Sequence, residues 1–261
     1  MPGTDDLSLL SEAALAAAEI GKRYFKSDPE VWDKSGGQGP VTQADLEIDA
    51  MLKAELTAAR PDYGWLSEET EDDLSRRSNE RVFIVDPIDG TRAFIAGERS
   101  WSHSLAIAEA GEIVAAAVHV PMMDRLYTAS KHDISRLNGT SIETTMAVEI
   151  DQATVLAAKP NMQPEFWKNG TPPLKRHFRP SLAYRLSLVA QGRFDAMLTL
   201  RDCWEWDIAA GELIVRQAGG QATDMTGAPL RFNNQRPKTV GCVAAGKPLH
   251  TQIIDRLRQP A

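Results

Sequence analysis

The hydrophobic pattern at the beginning of the chain is helical. Apolar residues recur every three or four positions over residues 6–26, which predicts an amphipathic helix. The residues that carry this spacing are Leu10, Ala14, Ala17, Ile20 and Tyr24. A Gly-rich loop is predicted at residues 36–40. A second helix is then expected over residues 43–60, with Thr42 as its N-cap.

Short apolar runs then indicate β-structure. Residues 65–67 are predicted as a strand that ends at Glu68 and Glu69, followed by a polar surface connection over residues 71–80. The continuous apolar run over residues 82–85 is typical of a buried strand, here ending at Asp86-Pro87.

An antiparallel meander is predicted for residues 105–127, where strand-like runs alternate with turn signals. The predicted strands cover residues 105–108, 113–120 and 126–127. The dipeptide Asn138-Gly139 favours a hairpin turn.

Strands and helices alternate in the second part of the chain. Strands are predicted at residues 155–157, 194–198 and 240–244, and helices at 181–190, 205–218 and 248–257. The prediction is a mixed α/β fold of layered sheets between helices, with an α+β half over residues 1–150 and an α/β half over residues 151–261.

Composition narrows the possible functions. The 261 residues carry 36 acidic side chains against 29 Lys and Arg, a formal net charge of −7. This balance disfavours bulk nucleic-acid binding, which needs a basic surface. The apolar stretches are too short to span a membrane, the acidic start is unlike a signal peptide, and two cysteines make no disulfide framework. We therefore expect a cytoplasmic protein.

The sharpest chemical feature is the segment Asp86-Pro87-Ile88-Asp89-Gly90-Thr91. Two carboxylates so close at the end of a buried strand repel each other unless a cation neutralises them, and hard oxygen ligands suit Mg²⁺. The N–H groups of Gly90 and Thr91 can hold an anion. An ordinary turn is the alternative interpretation, because Asp, Pro and Gly are common turn residues.

Four further acidic residues indicate a site only in combination. Taken singly, Glu68-Glu69 fits a solvated loop, while Asp45 and Asp207 fit acids favoured in the first turn of a helix. His103, between two serines, is predicted to be an ordinary strand residue rather than part of a nucleophilic site.

The order of four motifs resembles that of the inositol monophosphatase superfamily. The members of this superfamily are Mg²⁺-dependent, lithium-sensitive phosphatases. The motifs are Val41-Thr42-Gln43-Ala44-Asp45, Ser67-Glu68-Glu69, Asp86-Pro87-Ile88-Asp89-Gly90-Thr91 and Trp206-Asp207-Ile208-Ala209-Ala210-Gly211. This resemblance implies a five-layered αβαβα sugar-phosphatase-like fold, a small phosphorylated metabolite as substrate, and a homodimer.

The same resemblance implies a role for each site residue. The implied ligands of two or three Mg²⁺ ions are Glu68, Asp86, the Ile88 carbonyl, Asp89 and Asp207. Glu68 and the Asp45–Thr91 pair would assist an activated water in attacking phosphorus, with Glu69 nearby. Phosphoryl or substrate contacts are expected from Asp89, Gly90, Thr91, Ser181, Arg185 and Arg201.

The substrate is less determined than the reaction. Ser67-Glu68-Glu69 and Arg185 are more similar to the 3′(2′),5′-bisphosphate nucleotidases than to the inositol monophosphatases. Inositol monophosphatases also tend to have a sugar-binding Glu seven residues before the last metal-binding Asp, and this chain has Leu200 seven residues before Asp207. The prediction therefore leans to 3′-phosphoadenosine 5′-phosphate. Inositol 1-phosphate and histidinol phosphate are alternatives. A more distant one is a non-catalytic relative that binds RNA or protein.

Overall fold

In the computed structural model, residues 5–34 and 39–259 are described. Within these ranges the chain forms six α-helices. They are α1 (Asp6–Tyr24), α2 (Gln43–Ala59), α3 (Thr91–Ile95), α4 (Leu182–Ala190), α5 (Glu205–Gln217) and α6 (Lys247–Arg256). The predicted long helices are confirmed to within a few residues of their ends.

Most strands of the N-terminal half build one large sheet. A separate antiparallel pair comes first, formed by β1 (Val31–Asp33) and β2 (Pro40–Thr42). The sheet itself has the order β3 to β9. Its strands are β3 (Gly64–Ser67), β4 (Arg81–Asp89), β5 (Ser102–Glu109), β6 (Glu112–Val120), β7 (Arg125–Ser130), β8 (Arg136–Leu137) and β9 (Thr140–Ser141). Only the β3–β4 pairing is parallel among these described strands.

The second sheet has the strand order β11-β10-β12-β16-β14. Its strands, and the pair β13 and β15 beside it, are β10 (Thr154–Ala157), β11 (Lys175–His177), β12 (Ala196–Thr199), β13 (Cys203–Trp204), β14 (Gly220–Thr223), β15 (Lys238–Thr239) and β16 (Cys242–Gly246). Pairing is parallel from β11 to β12 and antiparallel beyond.

Three apolar clusters lie between five layers, which confirms the αβαβα architecture. The first joins α1 and α2 to one face of the large sheet. The second and largest fills the space around α4 and α5, between the two sheets. The third lies between the second sheet and α6. The predicted boundary at residue 150 falls between the last strand of the first sheet and the first strand of the second.

Local sequence explains where the main helices begin. Asp5 caps α1 by accepting from the Ser8 N–H at 2.8 Å. Thr42 caps α2 in a capping box with Asp45, and the Ser181 side chain accepts from the Tyr184 N–H at the start of α4. The Asn138-Gly139 turn is confirmed, with φ values of 48° and 81° that suit this hairpin.

Several boundaries differ from the sequence prediction. Strand β4 continues through Pro87 to Asp89 instead of ending at Asp86, and the predicted strand at 240–244 begins only at Cys242. The connection over residues 71–80 is not wholly exposed, because Arg76 is buried within it. The loop predicted at residues 36–40 lies mostly outside the described residues.

Helices α4 and α5 pack closely because Gly211 faces Leu186. A Cβ on Gly211 would lie 2.5 Å from the Leu186 side chain, which a larger residue could not tolerate. Part of the Trp206–Gly211 motif therefore serves packing between these helices. In the described part of the chain, no helix combines the length and apolarity needed to cross a bilayer.

Candidate metal and phosphate site

The end of β4 carries a β-bulge that aims two carboxylates in one direction. Asp86 pairs with Ser104 and Asp89 pairs with Ser102, so Pro87 and Ile88 together stand opposite a single residue, His103. In a regular strand, residues three apart point to opposite faces. The extra residue places Asp86 and Asp89 on the wall of the same cavity.

Three acidic residues from three elements converge beside this bulge. Carboxylate oxygens of Glu68, Asp86 and Asp207 all lie within 4.8 Å of one another. Glu68 follows β3, which runs parallel to β4, so the carboxyl ends of both strands meet at one edge. Asp207 comes from the first turn of α5 and joins residues more than 100 positions earlier in the chain.

The electrostatics of this cluster favour a bound cation. Burial, reinforced by Glu68 and Asp89, raises the pKa of Asp86 well above its ordinary value, and burial with Asp89 does the same for Asp207. Asp86 Oδ1 is buried without a hydrogen-bond partner among the described residues. Oxygen ligands at such spacing fit Mg²⁺, which would supply the positive charge that the carboxylates require.

Asp89 is held in place by the beginning of α4. Its Oδ2 accepts from Ser181 Oγ at 2.6 Å and from the Ala183 N–H at 2.7 Å, which leaves Oδ1 for another partner. Burial raises the pKa of Asp89 to about 6, although these hydrogen bonds oppose the shift. Ser181 is fully buried and also bonds Ser102. It therefore lies behind Asp89 rather than on the cavity wall where a substrate contact was predicted.

Asp45 both caps a helix and faces the site. Its Oδ2 accepts from the Thr42 N–H at 2.9 Å, while its Oδ1 lies 3.4 Å from Thr91 Oγ1. Thr91 Oγ1 also donates to the Ile88 carbonyl at 3.1 Å. Burial raises the pKa of Asp45 to about 6, against the hydrogen bonds from Thr42. Asp45 thus lies in the first turn of α2, as its alternative interpretation held, and also contacts the site through Thr91.

Lys34 is a site residue that the sequence analysis missed. Its Nζ lies 2.7 Å from a carboxylate oxygen of Glu68 and 2.7 Å from one of Glu69. Burial and Glu68 raise the pKa of Glu69 to about 8, although Lys34 acts against this shift. A single lysine before a Gly-rich segment carries no local signal of this pairing, because its partners lie more than 30 positions away.

The acidic cluster opens into a cavity of about 500 Å³. The C-terminal half contributes Asn161, Phe178, Arg185 and Arg201 to its lining. Arg185 lies over the Phe178 ring, with 4.5 Å between guanidinium carbon and ring centroid. Leu200 is buried in the third apolar cluster, and the neighbouring Arg201 reaches the cavity instead. Asn161 and Phe178 had no recognisable sequence signal.

Comparisons with known proteins identify the family to which this chain belongs. A sequence profile described as the inositol monophosphatase family matches residues 5–260. The chain belongs to the inositol monophosphatase family. An inositol-1-monophosphatase of Mesorhizobium japonicum is 31% identical over 264 residues, covering 96% of this chain and 93% of that protein. The Nus factor SuhB of Escherichia coli is 27% identical over 230 residues, or 85% of each chain.

Solved structures of inositol monophosphatases share the fold. The enzyme of Thermotoga maritima has a TM-score of 0.84 at 26% identity, covering 97% of this chain and 96% of that chain. One from Zymomonas mobilis has a TM-score of 0.79 at 26% identity and covers 96% of each. This member of the inositol monophosphatase family is a metal-dependent phosphomonoesterase, and the family implies Mg²⁺ as the metal.

Proposed function

We propose that this enzyme hydrolyses an inositol monophosphate in the cytoplasm. The observation that carries the proposal is the convergence of Glu68, Asp86 and Asp207 on the wall of a cavity of about 500 Å³, which is large enough for a phosphate ester of a six-membered ring. The names of the similar proteins from Mesorhizobium japonicum and Thermotoga maritima support the choice of substrate.

Two or three Mg²⁺ ions are the proposed cofactor. Glu68, Asp86, the Ile88 carbonyl, Asp89 and Asp207 would hold them, because these oxygens line one cavity wall. When bound, Mg²⁺ supplies Lewis acidity that activates water and neutralises phosphate charge. In this scheme water attacks phosphorus directly, so no side chain has to act as a nucleophile and no covalent intermediate forms.

Proton movement is assigned to Glu68, Asp45 and Thr91. Thr91 Oγ1 lies 3.4 Å from Asp45 Oδ1, so Thr91 can give its hydroxyl proton to Asp45 while it takes one from the attacking water. With a pKa raised to about 6 by burial, Asp45 is a stronger base than an ordinary aspartate and is still mostly ionised at neutral pH. The N–H groups of Gly90 and Thr91 are the proposed donors to the phosphoryl oxygens.

A specific observation favours a second candidate substrate. In residues 5–34 and 39–259, no carboxylate lies within 4 Å of the Arg185 or Arg201 guanidinium. Among the described residues, the Arg185 guanidinium donates hydrogen bonds to the carbonyls of Arg179 and Pro180 alone. Arg185 and Arg201 line the cavity on the side of the C-terminal half, and their guanidinium groups suit a second anionic group. This supports 3′-phosphoadenosine 5′-phosphate, the substrate towards which the sequence leans.

A phosphate-release assay with Mg²⁺ separates the candidates. The panel contains inositol 1-phosphate, 3′-phosphoadenosine 5′-phosphate and histidinol phosphate. We expect inositol 1-phosphate to have the highest kcat/KM, and Arg185→Met to change its KM by less than about threefold. The exposed Arg193→Met is the matched control, because Arg193 is not part of the cavity lining.

Each outcome decides between substrates. If the bisphosphate is preferred and Arg185→Met raises its KM by about tenfold, the second candidate replaces the first. A tenfold change corresponds to about 1.4 kcal/mol, which is within the range of one charge-assisted hydrogen bond. Preference for histidinol phosphate would overturn both. No Mg²⁺-dependent release from any compound would favour the non-catalytic alternative, binding of RNA or protein.

We also propose a homodimer, as the family resemblance implied. Light scattering after size-exclusion chromatography at micromolar concentration should give twice the chain mass of 28.7 kDa. A mass of one chain would contradict this expectation without touching the proposed chemistry.

A further inference from the structure

His103 lies directly beneath the metal-site bulge. It is fully buried on β5, opposite Pro87 and Ile88, and its side chain points away from the cavity towards α1. The flanking Ser102 and Ser104 point the other way, to Ser181 and to the Trp206 carbonyl. His103 therefore touches the bulge from behind and makes no contact with the cavity.

The ring of His103 satisfies the backbone group that the bulge exposes. A bulge removes its extra residue from the regular ladder and leaves polar backbone atoms without strand partners. His103 Nδ1 lies 2.5 Å from the Pro87 carbonyl oxygen. A carbonyl only accepts, so Nδ1 carries the proton and donates. Pro87 has no N–H, so its carbonyl is the one backbone group by which this residue can be anchored.

We propose that His103 is a positioning residue, whose hydrogen bond to Pro87 fixes the bulge that spaces Asp86, the Ile88 carbonyl and Asp89 for metal binding. Pro87 lies between Asp86 and Ile88 in the chain. A rotation of the peptide group that contains the Pro87 carbonyl would therefore reorient both the Asp86 carboxylate and the Ile88 carbonyl. Without this hydrogen bond, the strand is free to realign in a regular register, in which Asp86 and Asp89 point to opposite faces.

Packing alone does not explain a histidine at this position. Its Nε2 is buried with no hydrogen-bond partner among the described residues, in a space bordered by Gly21, Trp101 and His119. An apolar side chain would fill that space without leaving a polar atom unpaired. The Nδ1 hydrogen bond is the feature that an apolar residue cannot supply. The ring is neutral, since burial lowers the pKa of His103 to about 3.

The chain offers a close internal control. His119 lies on the adjacent strand, is also buried, and its Nδ1 bonds a backbone carbonyl at 3.1 Å. That carbonyl belongs to Ala14 of α1 and not to the metal-site bulge. Removing either histidine deletes one buried hydrogen bond, but only the removal of His103 should affect metal binding.

The experiment measures Mg²⁺ binding by titration calorimetry together with thermal unfolding in chelator. The variants are His103→Leu, His103→Asn, His103→Gln and His119→Leu. Asn places an amide N–H where Nδ1 is, whereas Gln places it near Nε2. We expect His103→Leu and His103→Gln to raise the Mg²⁺ Kd at least tenfold, and His103→Asn to stay within about threefold of the unchanged protein. His119→Leu should lower Tm while leaving the Kd within threefold.

The results separate positioning from stability and from the proposed function. An unchanged Kd in His103→Leu and His103→Gln would overturn the proposal, as would an equal loss in His119→Leu. If His103→Leu does not fold, the contrast between the Asn and Gln variants decides. The inference rests on the proposed metal site, but not on the substrate. Failure of the unchanged protein to bind Mg²⁺ would refute the site itself.

Discussion

Asp86 shows how one residue joins burial to function. It is almost completely inaccessible, its Oδ1 has no hydrogen-bond partner in the described residues, and burial with Glu68 and Asp89 raises its pKa. An isolated buried carboxylate is costly, so such a residue in a folded protein points to a bound counter-ion. The same side chain that destabilises the metal-free protein should be indispensable to the metal-loaded one.

We therefore expect Asp86→Asn to have opposite effects on activity and on stability. The amide cannot match the carboxylate as a ligand, so Mg²⁺-dependent phosphate release should fall by at least about 100-fold. The free energy of unfolding in chelator should increase by about 1–3 kcal/mol, because Asn removes the cost of either burying the Asp86 charge or protonating it at neutral pH. Phosphate assays and urea unfolding measure the two effects. Exposed Asp62→Asn serves as the control; equal behaviour of both variants would contradict the assignment.

At the scale of elements, a buried network connects the loop after β3 to the helix that carries Asp207. Arg76 is buried and bonds Asp72 at 2.8 Å and the Asn234 carbonyl at 2.8 Å. Asn233 and Asn234 donate backbone N–H groups to the buried Glu205 carboxylate, at 2.7 and 3.0 Å. Glu205 begins α5, two residues before Asp207. The network thus ties Asp207 to the N-terminal half.

Arg76→Met should break this connection and leave Glu205 less well held. We expect the free energy of unfolding to fall by about 1.5–3 kcal/mol, since Asp72 and the Asn234 carbonyl lose hydrogen bonds from the buried, charged Arg76. The KM for substrate should change less than kcat, because Arg76 does not line the cavity. The adjacent, exposed Arg77→Met is a matched control that should stay within about 0.5 kcal/mol of the unchanged protein. Similar losses in both variants, by urea unfolding, would argue against the network.

At the scale of the molecule, the acidic cluster sets how stability depends on pH. Burial and Glu68 raise the pKa of Glu69 to about 8, and the pKa values of Asp86 and Asp207 are also raised. Between pH 6.5 and 8 the folded metal-free protein therefore holds more protons than the unfolded chain, and stability falls as pH rises. Burial lowers the pKa values of His103 to about 3 and of His250 to about 4, and it also lowers that of His119. These histidines act in the opposite direction, mainly below about pH 7, where the unfolded chain takes up protons that the folded one does not.

In chelator, Tm should decrease by roughly 5 °C between pH 6.5 and 8. Each additional proton held by the folded protein lowers the free energy of unfolding by about 1.4 kcal/mol for every pH unit of increase, and this loss is converted to a change in Tm. Saturating Mg²⁺ should abolish most of this decrease, because the cation stabilises the ionised carboxylates. Differential scanning fluorimetry with and without Mg²⁺ is sufficient to test it. A Tm that rises with pH in chelator over this window would show that the cluster is not the dominant titrating group.

The sequence by itself determined the long helices, the main strands and the four motifs, because apolar periodicity and helix caps are local properties. Thr42, Ser181 and the Asn138-Gly139 turn act within a few residues of their own positions. The order of the four motifs was also sufficient to identify the family and to select Glu68, Asp86, Asp89 and Asp207 as candidate metal ligands.

Only the tertiary structure decided which distant groups meet. Lys34 joins Glu68 across 34 positions, Arg76 joins Asn233 across 157, and Ser181 reaches Asp89 rather than the cavity. The bulge that aligns Asp86 with Asp89 depends on the register of β4 with β5, and its anchor His103 looked like an ordinary strand residue. These features arise from strand pairing and helix packing, which bring together residues that are far apart in the chain. The sequence around each residue does not indicate which distant partner it will contact.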